Sequence, residues 1–188
     1  MLTIVILIIL FIGIYTGVRR GLVLQVIHTL GFIAAFFVAR EYYQQLAEYL
    51  EMLIPYAQPG VGDEMAYYNP IEILNLDLAF YNAISFLLIF FVGWLVTRIV
   101  GYMLNSLTFL PIIQQVNTIG GGILGFAMQY LGIFLFLSFL TLIPFDIVQS
   151  QLTESTLADW IITNTPYLSR SIYDWWIGTI GTETTWFN

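Results

Sequence analysis

The chain has 188 residues, 59% hydrophobic, 17% aromatic and only 9% charged. A soluble domain carries about 25% charge, and a disordered chain pairs high charge with low hydrophobicity, so both classes are excluded. Five arginines stand against twelve acids and a single histidine, a net charge of -7 with no lysine, and this excludes nucleic-acid binding because little is present to neutralise phosphates. The absence of cysteine removes disulfides, thiolate nucleophiles and zinc-thiolate sites. The composition predicts a small all-α integral membrane protein.

Four stretches are apolar and long enough for a hydrocarbon core of about 30 Å: residues 1–18, 22–39, 79–100 and 119–143. None alternates strictly, which favours helices over barrel strands. Arg19 to Gly21 is the whole link between the first two, so an antiparallel helical hairpin is expected. The first span has no charge before it and two arginines after it, the reverse of a cleaved signal peptide. It reads as a retained anchor. Residues 1–188 are expected to form a single membrane domain.

Orientation follows from the arginines, since basic connections stay on the cytoplasmic side. Arg19, Arg20 and Arg98 place the first link and the connection 101–118 inside. The connection 40–78 and the tail 144–188 then lie outside, with all twelve acids and both termini. The outer connection opens with a predicted helix over 41–54 whose apolar face is Leu46, Tyr49, Leu50 and Leu53. Pro55, Pro59-Gly60 and Asn69-Pro70 break the rest of that connection into turns. In the tail, Thr165-Pro166 predicts an N-cap with proline at the first helical position. Leu168, Ile172 and Trp175 share a face there, and with Tyr173, Trp176 and Trp186 they predict an amphipathic helix lying flat among the headgroups.

Small residues recur at helical spacing: Gly13, Gly17 and Gly21; Gly31, Ala35 and Ala39; Gly93, Thr97 and Gly101; Gly121 and Gly125. Helices in lipid associate by close backbone approach at such positions, so these GxxxG-type stripes are read first as packing. Arg20-Gly21 with Gln25, followed by Gly31, resembles the RGxxxE…G opening of the colicin V production protein family. Asn117, Gly121 and Gly125 resemble that family's Asn-led glycine stripe entering the last helix. Gln25 stands where the family usually has Glu, and Gln129 where the stripe often continues. The resemblance implies a bacterial inner-membrane protein linked to toxin (bacteriocin) production or export.

Polar groups inside a bilayer are where function is sought first. Gln25, His28 and Thr29 form a polar strip in the second span, and Gln129 follows the glycine face of the last. His28 is read as a neutral imidazole hydrogen-bonded across the bundle, with a proton-sensitive or ligand-facing site as the competing reading. Gln129 is read as interhelical glue, with substrate binding as its competitor. Arg19, Arg20 and Arg98 are expected to reach anionic lipid headgroups. No HExxH, P-loop or GxSxG motif occurs, and the lone histidine is predicted inside while every acid is outside. Asp63-Glu64 matches no EF-hand spacing. The expectation is therefore a non-enzymatic protein without cofactor or metal, working as a scaffold or accessory factor with an unidentified membrane or secretion protein. A small homo-oligomeric transporter or channel is the alternative.

Overall fold

The computed structural model describes residues 1–59, 65–68, 76–104 and 114–177. Among these every regular element is a helix: α1 (Leu2–Leu53), α2 (Leu76–Leu104), α3 (Gln114–Leu140), α4 (Asp146–Glu154), α5 (Thr156–Asn164) and α6 (Leu168–Trp176). The first three are long and apolar enough to cross a membrane. Their outward faces carry large apolar side chains such as Leu7, Phe11, Leu30, Phe37, Val92 and Val96, which suits hydrocarbon and not water. Gly60, Asp63-Glu64, Asn69-Pro70 and Trp186, each with a role expected from the sequence, lie outside the described residues.

The 52 residues of α1 would measure roughly 78 Å as one straight helix. Gly21 interrupts it, with φ 77° and ψ 169°, a region in which only glycine is at ease. The expected three-residue link thus contracts to one residue, because Arg19 and Arg20 remain helical. The chain forms two compact units: a first made of Met1–Thr3, Tyr43–Ser85 and Phe134–Asn188, and a second made of Ile4–Tyr42 and Phe86–Ile133. Thr3 and Tyr43 belong to the same unit, although a straight helix would hold them roughly 60 Å apart. The helix therefore doubles back at Gly21.

Beyond the second arm, α1 continues through Arg40-Glu41 without a break. No proline or glycine occurs between Phe32 and Ile54, and Pro55 then biases Ile54 to the extended conformation observed there. The separate helix expected over 41–54 is thus the far end of α1. Its inward face is also turned from the expected one. Tyr43, Ala47 and Leu50 are buried, whereas Tyr49 is 63% and Leu53 75% exposed. Leu50 and Ala47 pack with Tyr81, and Leu46, Ile54, Tyr56, Phe80 and Ile84 close around them.

Polar links tie the first unit together. The Tyr56 hydroxyl donates to the Leu142 carbonyl at 2.9 Å, and the Tyr81 hydroxyl donates to the Ile54 carbonyl at 2.6 Å. Helix α3 ends at Leu140 and not at 143, its exit tightened by N–H bonds from Leu142 to Phe139 and from Ile143 to Leu140. Helix ends leave carbonyls without partners. Here the Gln149 amide supplies donors, at 3.1 Å to Thr141 O and 2.9 Å to Ile143 O.

The tail differs most from expectation. It is three short helices, of which the last, α6, is the helix expected after Thr165-Pro166. Ser155 closes α4 and caps α5, its hydroxyl accepting from Ala158 N at 3.2 Å. Thr165 does not cap α6. Its hydroxyl donates back to the Ile161 carbonyl at 2.6 Å, and Tyr167, at φ 64°, is the N-cap residue instead. Trp176 is 2% exposed, so it packs inside the first unit and is no headgroup anchor. The carbonyls of Trp175 and Trp176 accept from the Tyr43 hydroxyl (2.9 Å) and the Asn82 amide (3.0 Å).

Burial, reinforced by the Asp77 charge, pushes the Tyr56 hydroxyl up from 10.0 to about 12. Folding therefore favours the protonated phenol. That contribution is complete below pH 10 and fades as pH rises through about 12. Alkaline thermal-unfolding curves should show stability falling across this interval. Tyr56→Phe should be less stable at neutral pH by about 1 kcal/mol and should lose part of the alkaline decline. An unchanged pH profile in the variant would contradict this assignment.

Candidate functional site

The residues singled out by motif gather in the second unit, and the break at Gly21 is what assembles them. A helix that restarts after a break exposes unpaired N–H groups. One of these, on Leu22, donates to the Asn117 side-chain oxygen at 2.7 Å. The same amide leaves no room beside Gly21: an added Cβ would lie 2.5 Å from Asn117 Nδ2. The two halves of the motif, far apart in sequence, are therefore in direct contact.

From that point the first arm of α1 runs antiparallel to α3. A Cβ on Gly17 would strike the Gly121 carbonyl oxygen and lie 2.9 Å from Gly125 Cα. On Gly125 it would lie 2.5 Å from Gly13 O, and on Gly13, 2.5 Å from Gln129 Cβ. Partner numbers fall as the first arm's numbers rise, which defines the register. The second arm meets α2 in the same sense. Gly31 faces Thr97, Ala35 faces Gly93 at 2.6 Å from its added Cβ, and the His28 ring occupies the space over Gly101.

His28 does not bond across the bundle as expected. Its Nδ1 lies 2.8 Å from the Leu24 carbonyl of its own helix. A carbonyl only accepts, so Nδ1 carries the hydrogen and Nε2 of the neutral ring is an acceptor. The Thr29 and Thr97 hydroxyls likewise donate to Gln25 O and Gly93 O, each at 2.8 Å. Gln25 is only 4% exposed, and its Oε1 has no partner among the described residues. Arg98 stacks over Trp94 with 5.2 Å from guanidinium carbon to ring centroid, while Arg19 lies over Tyr15 at 5.8 Å.

These side chains surround a hollow of about 210 Å³ that Arg20, Gln25, His28, Arg98 and Gln129 all line. Arg20, His28 and Arg98 also line a neighbouring hollow of about 320 Å³. The stem of Gln129 lies over Gly13 at its edge. Among the described residues no group of acids and histidine is arranged to hold a metal ion. The second unit contains four of the five arginines and, of the twelve acids, only Glu41.

Sequence reasoning missed the polar residues that organise the first unit. The Tyr67 hydroxyl donates to Asp159 at 3.1 Å, and burial with the Asp159 charge pushes this phenol well above the ordinary tyrosine range. Tyr68 bonds Thr141 at 2.7 Å. None of these pairings has a local signal, since their members lie 73 or more positions apart.

Residues 2–166 match the family model described as colicin V production protein. The chain belongs to the colicin V production protein family. It is also 35% identical, over 177 residues, to the uncharacterized transmembrane protein YshB of Bacillus subtilis (strain 168), a match covering 94% of this chain and 97% of that protein. No solved structure matches. Family membership, the transmembrane relative and the apolar helices together make this a multi-pass membrane protein.

For this family member, the contact between Gly21 and Asn117 is open to direct test. Gly21→Ala puts a side chain at a positive φ and against an amide, and should cost about 1–3 kcal/mol. Asn117→Ala leaves the Leu22 N–H unpaired at a similar cost. Gly132→Ala is the control, because nothing lies within 4 Å of its added Cβ. It should be neutral or stabilising by up to about 1 kcal/mol. Thermal unfolding in detergent reads all three, and equal stability of Gly21→Ala and Gly132→Ala would refute the assignment.

Proposed function

We propose that the protein is a non-enzymatic, four-span component of the bacterial inner membrane. It serves toxin production or export, or a related envelope process, as an accessory factor that acts through partner proteins. The observation carrying this reading is the segregation of charge. The second unit holds four arginines and one acid, and the first holds eleven acids and Arg170. In a membrane such a division orients the chain, with the arginine pair at Gly21 cytoplasmic and the acidic connections outside. The doubling back at Gly21 supports two spans within α1, and α2 and α3 supply the others. His28 belongs to one unit and nearly all acids to the other, which supports a binding role over an acid–base one.

Two experiments test this reading. Single cysteines, in a chain that has none, report the topology through an impermeant thiol reagent. Gln44 and Tyr167 are exposed and, once replaced, should react in intact cells, whereas Thr108→Cys should react only after the membrane is breached. The reverse pattern would invert the proposed orientation. Cross-linking in native membranes then addresses the partner. A specific second protein is the expected product, and a self-only oligomer would favour a channel.

The glycine stripes of the first arm and α3 are proposed as the packing seam of this bundle. Gly17→Leu and Gly125→Leu should each lower stability by about 1–3 kcal/mol, the usual cost of overpacking. Because each position faces the other's backbone, a double-mutant cycle should be non-additive. Simple addition, or wild-type stability in both single variants, would show that the seam does not lie there.

A further inference from the structure

We propose that the hollow lined by Arg20 and Arg98 binds a phosphate group together with a hydroxyl on or beside it. A glycerol-phosphate lipid headgroup and free phosphate share this chemistry. The assignment stands apart from the accessory-factor reading, since it rests on the hollow alone.

Two guanidiniums line one cavity, and among the described residues neither forms an ion pair. Like charges held close together repel one another, and a bound anion removes that cost. Planar guanidinium forks match phosphate oxygens in pairs. Trp94 beneath Arg98 restricts where that fork points.

The same hollow offers an acceptor as well as donors. His28 Nε2 is an acceptor because Nδ1–H is committed to Leu24, and the ring lines the hollow. An anion with acceptors only, such as sulfate, would satisfy the arginines and leave this atom unmet. A ligand carrying both phosphate and O–H meets all three. The volume, about 210 Å³, falls below the roughly 300–1,000 Å³ of a drug-sized site and suits a headgroup.

The test uses the full chain purified in a neutral detergent, with its thermal midpoint followed against four additives. These are short-chain phosphatidylglycerol, short-chain phosphatidylcholine, inorganic phosphate and sulfate. Phosphatidylglycerol or phosphate should raise the midpoint in a saturable way, while phosphatidylcholine and sulfate should not. A response to phosphatidylglycerol alone identifies a lipid ligand, and a response to phosphate alone a soluble one. Arg98→Gln alters an exposed side chain and should weaken the response by at least about tenfold, whereas Arg40→Gln, outside the hollow, should retain it. Equal responses to all four additives, or wild-type binding by Arg98→Gln, would overturn the proposal.

Discussion

The architecture depends on one residue adopting a conformation that side chains resist. At φ 77° and ψ 169°, Gly21 ends one helical arm and starts the next within a single peptide unit. A longer loop would expose several backbone groups, each costly where no water is present to receive them. Here one glycine confines the problem to the start of the second arm, and Asn117 meets the Leu22 N–H directly. The contact also sets the level at which α3 lies against the first arm, so Gly17 meets Gly121 and Gly13 meets Gln129. A shift of one residue at Asn117 would bring bulkier neighbours such as Leu124 or Phe126 toward these glycines.

Much of the fold was legible because bilayers impose strong local rules. Composition and apolar run length are visible without any partner, and so were the all-helical class and the presence of membrane-crossing helices. Family resemblance carried Arg20-Gly21 and Asn117, and the structure brings Gly21 against Asn117. Less legible was anything decided by tertiary contact. Arg40-Glu41 looked like a stop, yet charged residues are good helix formers and α1 continues through them. Tyr49 and Leu53 are as apolar as Tyr43 and Leu50, but Leu50 packs with Tyr81 and Tyr43 reaches the Trp175 carbonyl. Asn82 carries no local signal, since the Trp176 carbonyl that it meets lies 94 positions away.

The candidate site shows the same division. Sequence alone located Gln25, His28 and Gln129 as intramembrane polar residues, read His28 and Gln129 as packing, and sent Arg20 and Arg98 to the headgroups. Their convergence on one hollow was not visible, because Arg20 and Arg98 sit on different helices whose register is set by glycines. The tautomer of His28 likewise depends on a carbonyl one turn earlier. These local bonds occupy the donor side of the imidazole and several hydroxyls. The groups still facing the cavity are then a sparse set with a definite hydrogen-bonding sense.

Long-range contacts in the first unit also constrain the order in which the protein is made. The Thr3 hydroxyl lies 2.8 Å from that of Ser155, and Tyr43 reaches the Trp175 carbonyl. Chains emerge from the ribosome amino terminus first, so Thr3 is synthesised long before its partner exists. The same holds for Leu22, whose acceptor comes 95 residues later. The Leu22 N–H therefore gains its side-chain acceptor only once the chain has been made as far as α3. Assembly closes late, when the short helices dock beside the beginning of the chain.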